Sequence, residues 1–180
     1  VEADGEGESG RVCGCSAGYG NVLPQDDAYF NCVPCGIGKS SNAASKSACT
    51  PCSYGKYYDG KEMSECTSCV TGKHLNFTGA SSESSCSECS EGKFQATPGQ
   101  KDCTLCPPGA FCPSRGMKMY IQCIKGEFAP IPSGLSCSQC PAGRFQNDEG
   151  QAFCKACPQG RYASDTGATD EAVCEACSIG

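Results

Sequence analysis

Twenty of the 180 residues are cysteine, and their spacing admits two chemistries. Eight C-x-x-C pairs occur: Cys32/Cys35, Cys49/Cys52, Cys66/Cys69, Cys86/Cys89, Cys103/Cys106, Cys137/Cys140, Cys154/Cys157 and Cys174/Cys177. Sulfur at this spacing either holds zinc or closes disulfides. Zinc would gather adjacent pairs, for example Cys32, Cys35, Cys49 and Cys52, around one ion. That grouping strands Cys13, Cys15, Cys112 and Cys123 and calls for alternating, unlike linkers. The linkers are alike and there is a single His, so disulfides are expected and neither metal nor cofactor is. Dithiol exchange is not expected either, because it needs a βαβ frame with a helix N-terminus at the pair.

One scheme pairs each opening cysteine, the second of a C-x-x-C, with the next closing one. The bonds are then Cys15–Cys32, Cys35–Cys49, Cys52–Cys66, Cys69–Cys86, Cys89–Cys103, Cys106–Cys112, Cys123–Cys137, Cys140–Cys154 and Cys157–Cys174. All the loops but the short sixth fall into two length classes, as one design used repeatedly would give. A variant joins Cys106 to Cys123 and Cys112 to Cys137, and crossed pairings like those of tumour-necrosis-factor receptor modules stay open, since sequence alone does not fix connectivity. Cys13 and Cys177 have no partner in this scheme, and the sequence is expected to be a fragment of a longer repeat array.

The elements that must hold these sulfurs repeat with them. The pairs start 17, 17, 20, 17, 34, 17 and 20 residues apart. A glycine follows each opening cysteine by three positions, from Gly18 after Cys15 to Gly180 after Cys177. A glycine required this often belongs at a positive φ or at a close backbone approach. Two residues further an aromatic is common, at Tyr57, Phe94, Phe111, Phe128, Phe145 and Tyr162, and each is expected to pack on its own disulfide. Lys39, Lys56, Lys73, Lys93, Arg144 and Arg161 lie between glycine and aromatic position and read as solvated strand residues. A second turn follows, for instance at Ser133-Gly134 or Glu149-Gly150. The expected fold class is small and disulfide-rich: an elongated tandem array of β-hairpin-like units of about 17 residues with little helix, each tied only to its neighbours. The divisions are a flexible acidic segment at 1–12 carrying Glu2, Asp4, Glu6 and Glu8, regular repeats at 13–105, an irregular pair at 106–137, and regular repeats again at 138–180.

Composition agrees. Leu, Ile, Val and Phe number 22 and Trp is absent, too little to build an ordinary core at this length. Cysteine instead exceeds the roughly 8–10% that marks a disulfide scaffold. Each closure of a loop of about 15 residues is worth roughly 3 kcal/mol. Such a chain needs an oxidising compartment, which places it at the cell surface or outside the cell. A net charge of −6 speaks against nucleic acid as a partner. No apolar run of 18 residues offers a membrane span. No apolar leader opens the sequence either, so a signal peptide is expected to have been removed or the sequence to be an internal piece.

Other chemistry is sparse. His74 has no nucleophile arrangement around it and reads as an exposed strand residue. Gly38-Lys39-Ser40 ends like a phosphate loop but lacks the first glycine, Val33 standing there. Asn147-Asp148-Glu149-Gly150 reads as a turn rather than a calcium loop. Asn76-Phe77-Thr78 is an N-glycosylation sequon in the loop between Cys69 and Cys86.

The segments Cys103-Thr-Leu-Cys106-Pro-Pro-Gly109-Ala-Phe111 and Cys154-Lys-Ala-Cys157-Pro-Gln-Gly160-Arg-Tyr162 resemble the ephrin-receptor-like cysteine-rich repeat, and the likeness extends over about 13–180. Similar repeats occur in receptor ectodomains, matrix proteins and cysteine-rich surface proteins of protists. The resemblance implies no catalytic residues. It implies a non-enzymatic extracellular structural and interaction rod within a larger cell-surface, matrix or surface-filament protein. Its partners would be other extracellular proteins, including copies of itself in a filament or coat. The alternatives are a ligand-binding receptor segment and a zinc-binding intracellular scaffold. A receptor would make its binding face where the repeat departs from pattern, and Met117, Met119, Tyr120 and Ile121 are the candidate contacts, with a packed hinge as the competing role.

Overall fold

A computed structural model of the chain describes residues 14–22, 31–41, 48–60 and 65–178. Among them eighteen short strands form nine two-stranded antiparallel sheets, each from consecutive strands. The pairs are β1 (Tyr19–Asn21) with β2 (Cys32–Pro34), β3 (Lys39–Ser40) with β4 (Thr50–Pro51), β5 (Lys56–Tyr57) with β6 (Thr67–Ser68), and β7 (Lys73–His74) with β8 (Ser87–Glu88). They continue with β9 (Lys93–Phe94) and β10 (Thr104–Leu105), β11 (Ala110–Phe111) and β12 (Ile121–Gln122), and β13 (Glu127–Phe128) and β14 (Ser138–Gln139). Last are β15 (Arg144–Phe145) with β16 (Lys155–Ala156) and β17 (Arg161–Tyr162) with β18 (Glu175–Ala176). No helix among the described residues is long and apolar enough to cross a membrane.

The Cys140 repeat shows why the sequence folds this way. Pro141 to Arg144 make a turn in which the Arg144 N–H donates to the Pro141 carbonyl at 3.1 Å and Gly143 has φ 80°. That is the geometry of a type II turn, which wants glycine third. Strand β15 follows and pairs with β16, the two residues between Cys154 and Cys157. The return strand usually fills the C-x-x-C spacer, so the two cysteines of a pair flank a strand rung and enter different disulfides. The Cys157 N–H then donates to the Gly143 carbonyl at 3.0 Å, and the cycle restarts.

Disulfide-joined cysteines are separated by 14 or 17 positions in every repeat but one. In the Cys69 and Cys157 repeats the longer loop contains one turn of 3-10 helix, Glu83–Ser85 and Glu171–Val173. Ser82 and Asp170 cap these turns, accepting from the Ser84 N–H at 3.2 Å and the Ala172 N–H at 2.8 Å.

The chain divides into two compact parts, Val1–Cys69 with Leu75–Cys86 and Val70–His74 with Ser87–Gly180. Three backbone bonds lace consecutive repeats within each. In the first part the Gly38 N–H donates to the Tyr58 carbonyl at 2.8 Å, the Tyr58 N–H to Ala80 at 3.0 Å and the Gly79 N–H to Cys52 at 2.8 Å. In the second the same set is Gly126 to Gln146 at 2.8 Å, Gln146 to Ala168 at 2.9 Å and Gly167 to Cys140 at 2.8 Å. The register sets the second turn one residue earlier than the motif suggests in one repeat. Ser133, not Gly134, takes the positive φ, at 64°, and its N–H donates to the Cys106 carbonyl.

Repeats also touch the next but one, which overturns the expectation of neighbour-only contact. A Cβ on Gly109 would collide with the carbonyl oxygen of Gly150, and one on Gly92 would lie 2.8 Å from that of Ser133. At Gly92 and Gly109 the turn glycine is therefore fixed twice, by its φ and by a backbone against its α-carbon. Gly180 lies outside the described residues.

Candidate functional site

Each repeat has one interior position, three residues past the turn glycine. The residues there, Asn21, Ser41, Tyr58, Leu75, Gln95, Cys112, Ala129, Gln146 and Ala163, are all buried. The repeat aromatics stand one residue earlier. These are half-buried at Tyr57, Phe94, Phe111 and Phe128, exposed at Tyr162, and buried only at Phe145. Nor do the two that join cores rest on their own disulfides. Tyr57 packs on Cys69, Leu75, Ala80 and Cys86, and Phe145 lies with Ala163, Ala168, Cys174 and Cys157, so each roofs the following repeat. Single parallel bridges, Tyr57 to Ala80 and Phe145 to Ala168, hold them there. Burial pushes the Tyr57 phenol above its ordinary pKa, and the carboxylates of Glu83 and Asp59 add to the effect.

Where the interior residue is an amide it is fully engaged. Gln95 donates from Nε2 to the Asp102 carbonyl at 2.8 Å and accepts the Thr97 N–H at 3.2 Å on Oε1. Gln146 repeats this with the Phe153 carbonyl at 2.6 Å and the Asp148 N–H at 3.1 Å. In both, the carbonyl bonded is the one just before the closing cysteine. Among the described residues no buried side-chain nitrogen or oxygen lacks a partner.

The structure joins Cys15–Cys32, Cys35–Cys49, Cys52–Cys66, Cys69–Cys86 and Cys89–Cys103, and then Cys106–Cys112, Cys123–Cys137, Cys140–Cys154 and Cys157–Cys174. Cys177 is a free, exposed thiol, and Cys13 lies outside the described residues. The Cys106 repeat is the exception in design. Cys112 occupies the interior position, and Tyr120 stands three residues before Cys123, where other repeats have their closing cysteine. The bond has moved inward, and a partly exposed aromatic, Tyr120 at 38%, stands at the vacated position. The Tyr120 ring meets Phe94 edge to face, centroids 5.2 Å apart at 77°. Met117 is half-buried, and its carbonyl accepts the Gln95 N–H at 3.0 Å. Met119, at 70% exposure, and Ile121, at 45%, face solvent. The four candidate contacts thus divide into two that join the preceding repeat and two that are offered outward. The signal for this was in the sequence, in a doubled period whose missing cysteine falls at Tyr120.

The remaining motifs resolve into structure. His74 is half-buried, with Nδ1 3.1 Å from the Lys101 carbonyl, rather than a bare exposed strand residue. The basic residues are not all merely solvated, since the Arg144 and Arg161 guanidinium groups donate to the carbonyls of Cys154 and Cys174 at 3.1 and 3.2 Å. In the turn 147–150 the Lys155 ammonium bonds Asp148 at 2.7 Å and also reaches Asn147. Gly38 and Lys39 belong to a repeat turn and to β3. Asn76, Phe77 and Thr78 are exposed.

Residues 126–174, a little over a quarter of the chain, match the family model described as tyrosine-protein kinase ephrin type A/B receptor-like. The matched stretch begins at a turn glycine and ends at a closing cysteine. No curated protein matches the chain.

Proposed function

We propose that this chain is a non-enzymatic structural and interaction segment of a larger extracellular protein. In that role, disulfide-closed repeats space or display other parts of a cell-surface, matrix or filament assembly. The observation that supports it most directly is the nine successive disulfides among the described residues, with a repeating set of backbone bonds between consecutive repeats inside each compact part. Such a chain holds its form without a large apolar core, and its sulfurs stay paired only under oxidising conditions. The strand rungs present mostly exposed side chains that can vary without disturbing the frame. Partners are other extracellular proteins, including further copies of the chain. The test is thiol titration and disulfide mapping on material from the native source. Closed bonds between successive cysteines are expected, and a majority of free thiols would refute the extracellular reading.

A second reading, a ligand-binding receptor segment, is favoured by Met119 and Ile121, exposed where the repeat pattern breaks. Met119→Ala with Ile121→Ala should abolish binding of a captured extracellular partner while all disulfides form. Unchanged binding returns the patch to a spacer role.

A further inference from the structure

The sequon fits none of the roles assigned so far, and its place in the repeat makes it specific. We propose that Asn76 carries an N-linked oligosaccharide. Asn76, Phe77 and Thr78 follow the buried Leu75 and precede Gly79, whose N–H is tied to the Cys52 carbonyl. The three residues lie outside the strands, β7 having ended at His74, and all three are exposed. They form a short accessible bend held at both ends, and a glycan there would displace no packed group. The equivalent bends agree, with Ala96-Thr97-Pro98 and Ser164-Asp165-Thr166 likewise exposed. Asn147 occupies the same position in its repeat. There the side chain is engaged by Lys155, and Glu149 stands where a hydroxyl residue would be needed.

The donor is a lipid-linked oligosaccharide. The Asn76 amide nitrogen bonds the anomeric carbon of its first N-acetylhexosamine and releases a proton, the sugar–diphosphate bond breaks, and the lipid diphosphate leaves. This inference rests on the extracellular reading.

The experiment is expression of the whole chain behind a secretion leader in a eukaryotic cell, with intact mass measured before and after peptide-N-glycosidase. The expected result is a glycan mass that the enzyme removes, leaving Asp at position 76. Asn76→Gln and Thr78→Ala should lose that mass, and Thr78→Ser should keep it. The paired threonine variants keep the test valid if Asn76→Gln does not fold. Chain with a bare polypeptide mass, whether secreted or retained, overturns the proposal, as does a glycan that persists in Asn76→Gln. Thiol titration of native-source material separates the two failures: free thiols there defeat the extracellular reading, whereas closed disulfides with a bare mass in the expressed chain defeat the glycan alone.

Discussion

The Cys69 and Cys89 repeats follow one another in sequence and solve the same problem differently. The Cys69 repeat places Leu75 at its interior position, with Ala80 and the Cys69 and Cys86 sulfurs around it and Tyr57 above. The Cys89 repeat places Gln95 there, bonded to Asp102 and Thr97. The same contrast recurs between the Cys157 repeat, with Ala163, and the Cys140 repeat, with Gln146. In these four repeats the contrast goes with loop length. In the longer loops a capped 3-10 turn satisfies its own amides, so the interior can be apolar. In the shorter Cys89 and Cys140 loops a carbonyl and an N–H near the interior residue need partners, and the amide of Gln95 or Gln146 supplies both. The Cys123 repeat is short yet has Ala129, and Pro130 and Pro132 there remove two donors from its loop.

The strongest test of that contrast removes a disulfide from each kind. Cys89→Ala with Cys103→Ala and Cys69→Ala with Cys86→Ala should each cost about 3 kcal/mol. Hydrogen exchange should then differ. Protection should vanish around Gln95, whose partner Asp102 adjoins the lost bond, but persist at the Tyr58 N–H donated to Ala80. Equal loss in both would show that the apolar cluster does not hold its repeat.

Gly109→Ala meets the Gly150 carbonyl as well as the φ penalty, whereas Gly160 has open space around it and bears only the latter. Denaturant unfolding without reductant should show about 3 kcal/mol for the first and about 1 kcal/mol for the second. Indistinguishable values would deny the contact between repeats two apart a role in stability.

Exchanging fillers should fail in both directions. Leu75→Gln buries an amide without designed partners, and Gln146→Leu abandons the Phe153 carbonyl and the Asp148 N–H. Each should lose about 2 kcal/mol. A melting temperature raised by Gln146→Leu would contradict the loop-length account.

Ser133→Gly relieves a left-handed serine at a position where other repeats place glycine. The gain of about 1–2 kcal/mol is partly offset by glycine's looser unfolded chain, leaving about 0.5 kcal/mol of added stability. A fall in melting temperature would mean the serine is held for a contact of its own.

The smallest effect concerns the apolar repeat's roof. The raised pKa of Tyr57 means its stabilising share is complete below the ordinary tyrosine value of about 10 and is lost as pH rises through the folded value. Glu83→Gln should move the Tyr57 titration, followed by phenolate absorbance, downward, and no movement would remove Glu83 as a contributor.

Much of the frame was legible from the residues. Turn glycines at a fixed distance from cysteine, two loop lengths and hairpins of about 17 residues all follow from local rules of φ, turn type and spacing. The interior position was missed because it carries Asn, Ser, Tyr, Leu, Gln, Cys and Ala in different repeats, and no residue type marks it. The aromatics are the largest apolar groups of the repeat, yet most are only half-buried. The broken repeat was visible as a doubled period, but the division of its cluster was not, because the Tyr120 contact with Phe94 crosses from one repeat to another.

The sequence alone therefore determined that the chain is a cysteine-paired array of small hairpins, since covalent spacing and glycine conformation act over a few residues. Tertiary structure alone decided which repeat supports which. The Tyr57 and Phe145 rings roof the following disulfide, and glycines such as Gly109 press on a carbonyl two repeats away. The bridges that seat those rings, Tyr57 to Ala80 and Phe145 to Ala168, join distant residues through backbone hydrogen bonds, which every residue but proline can donate and which leave little trace in side-chain identity.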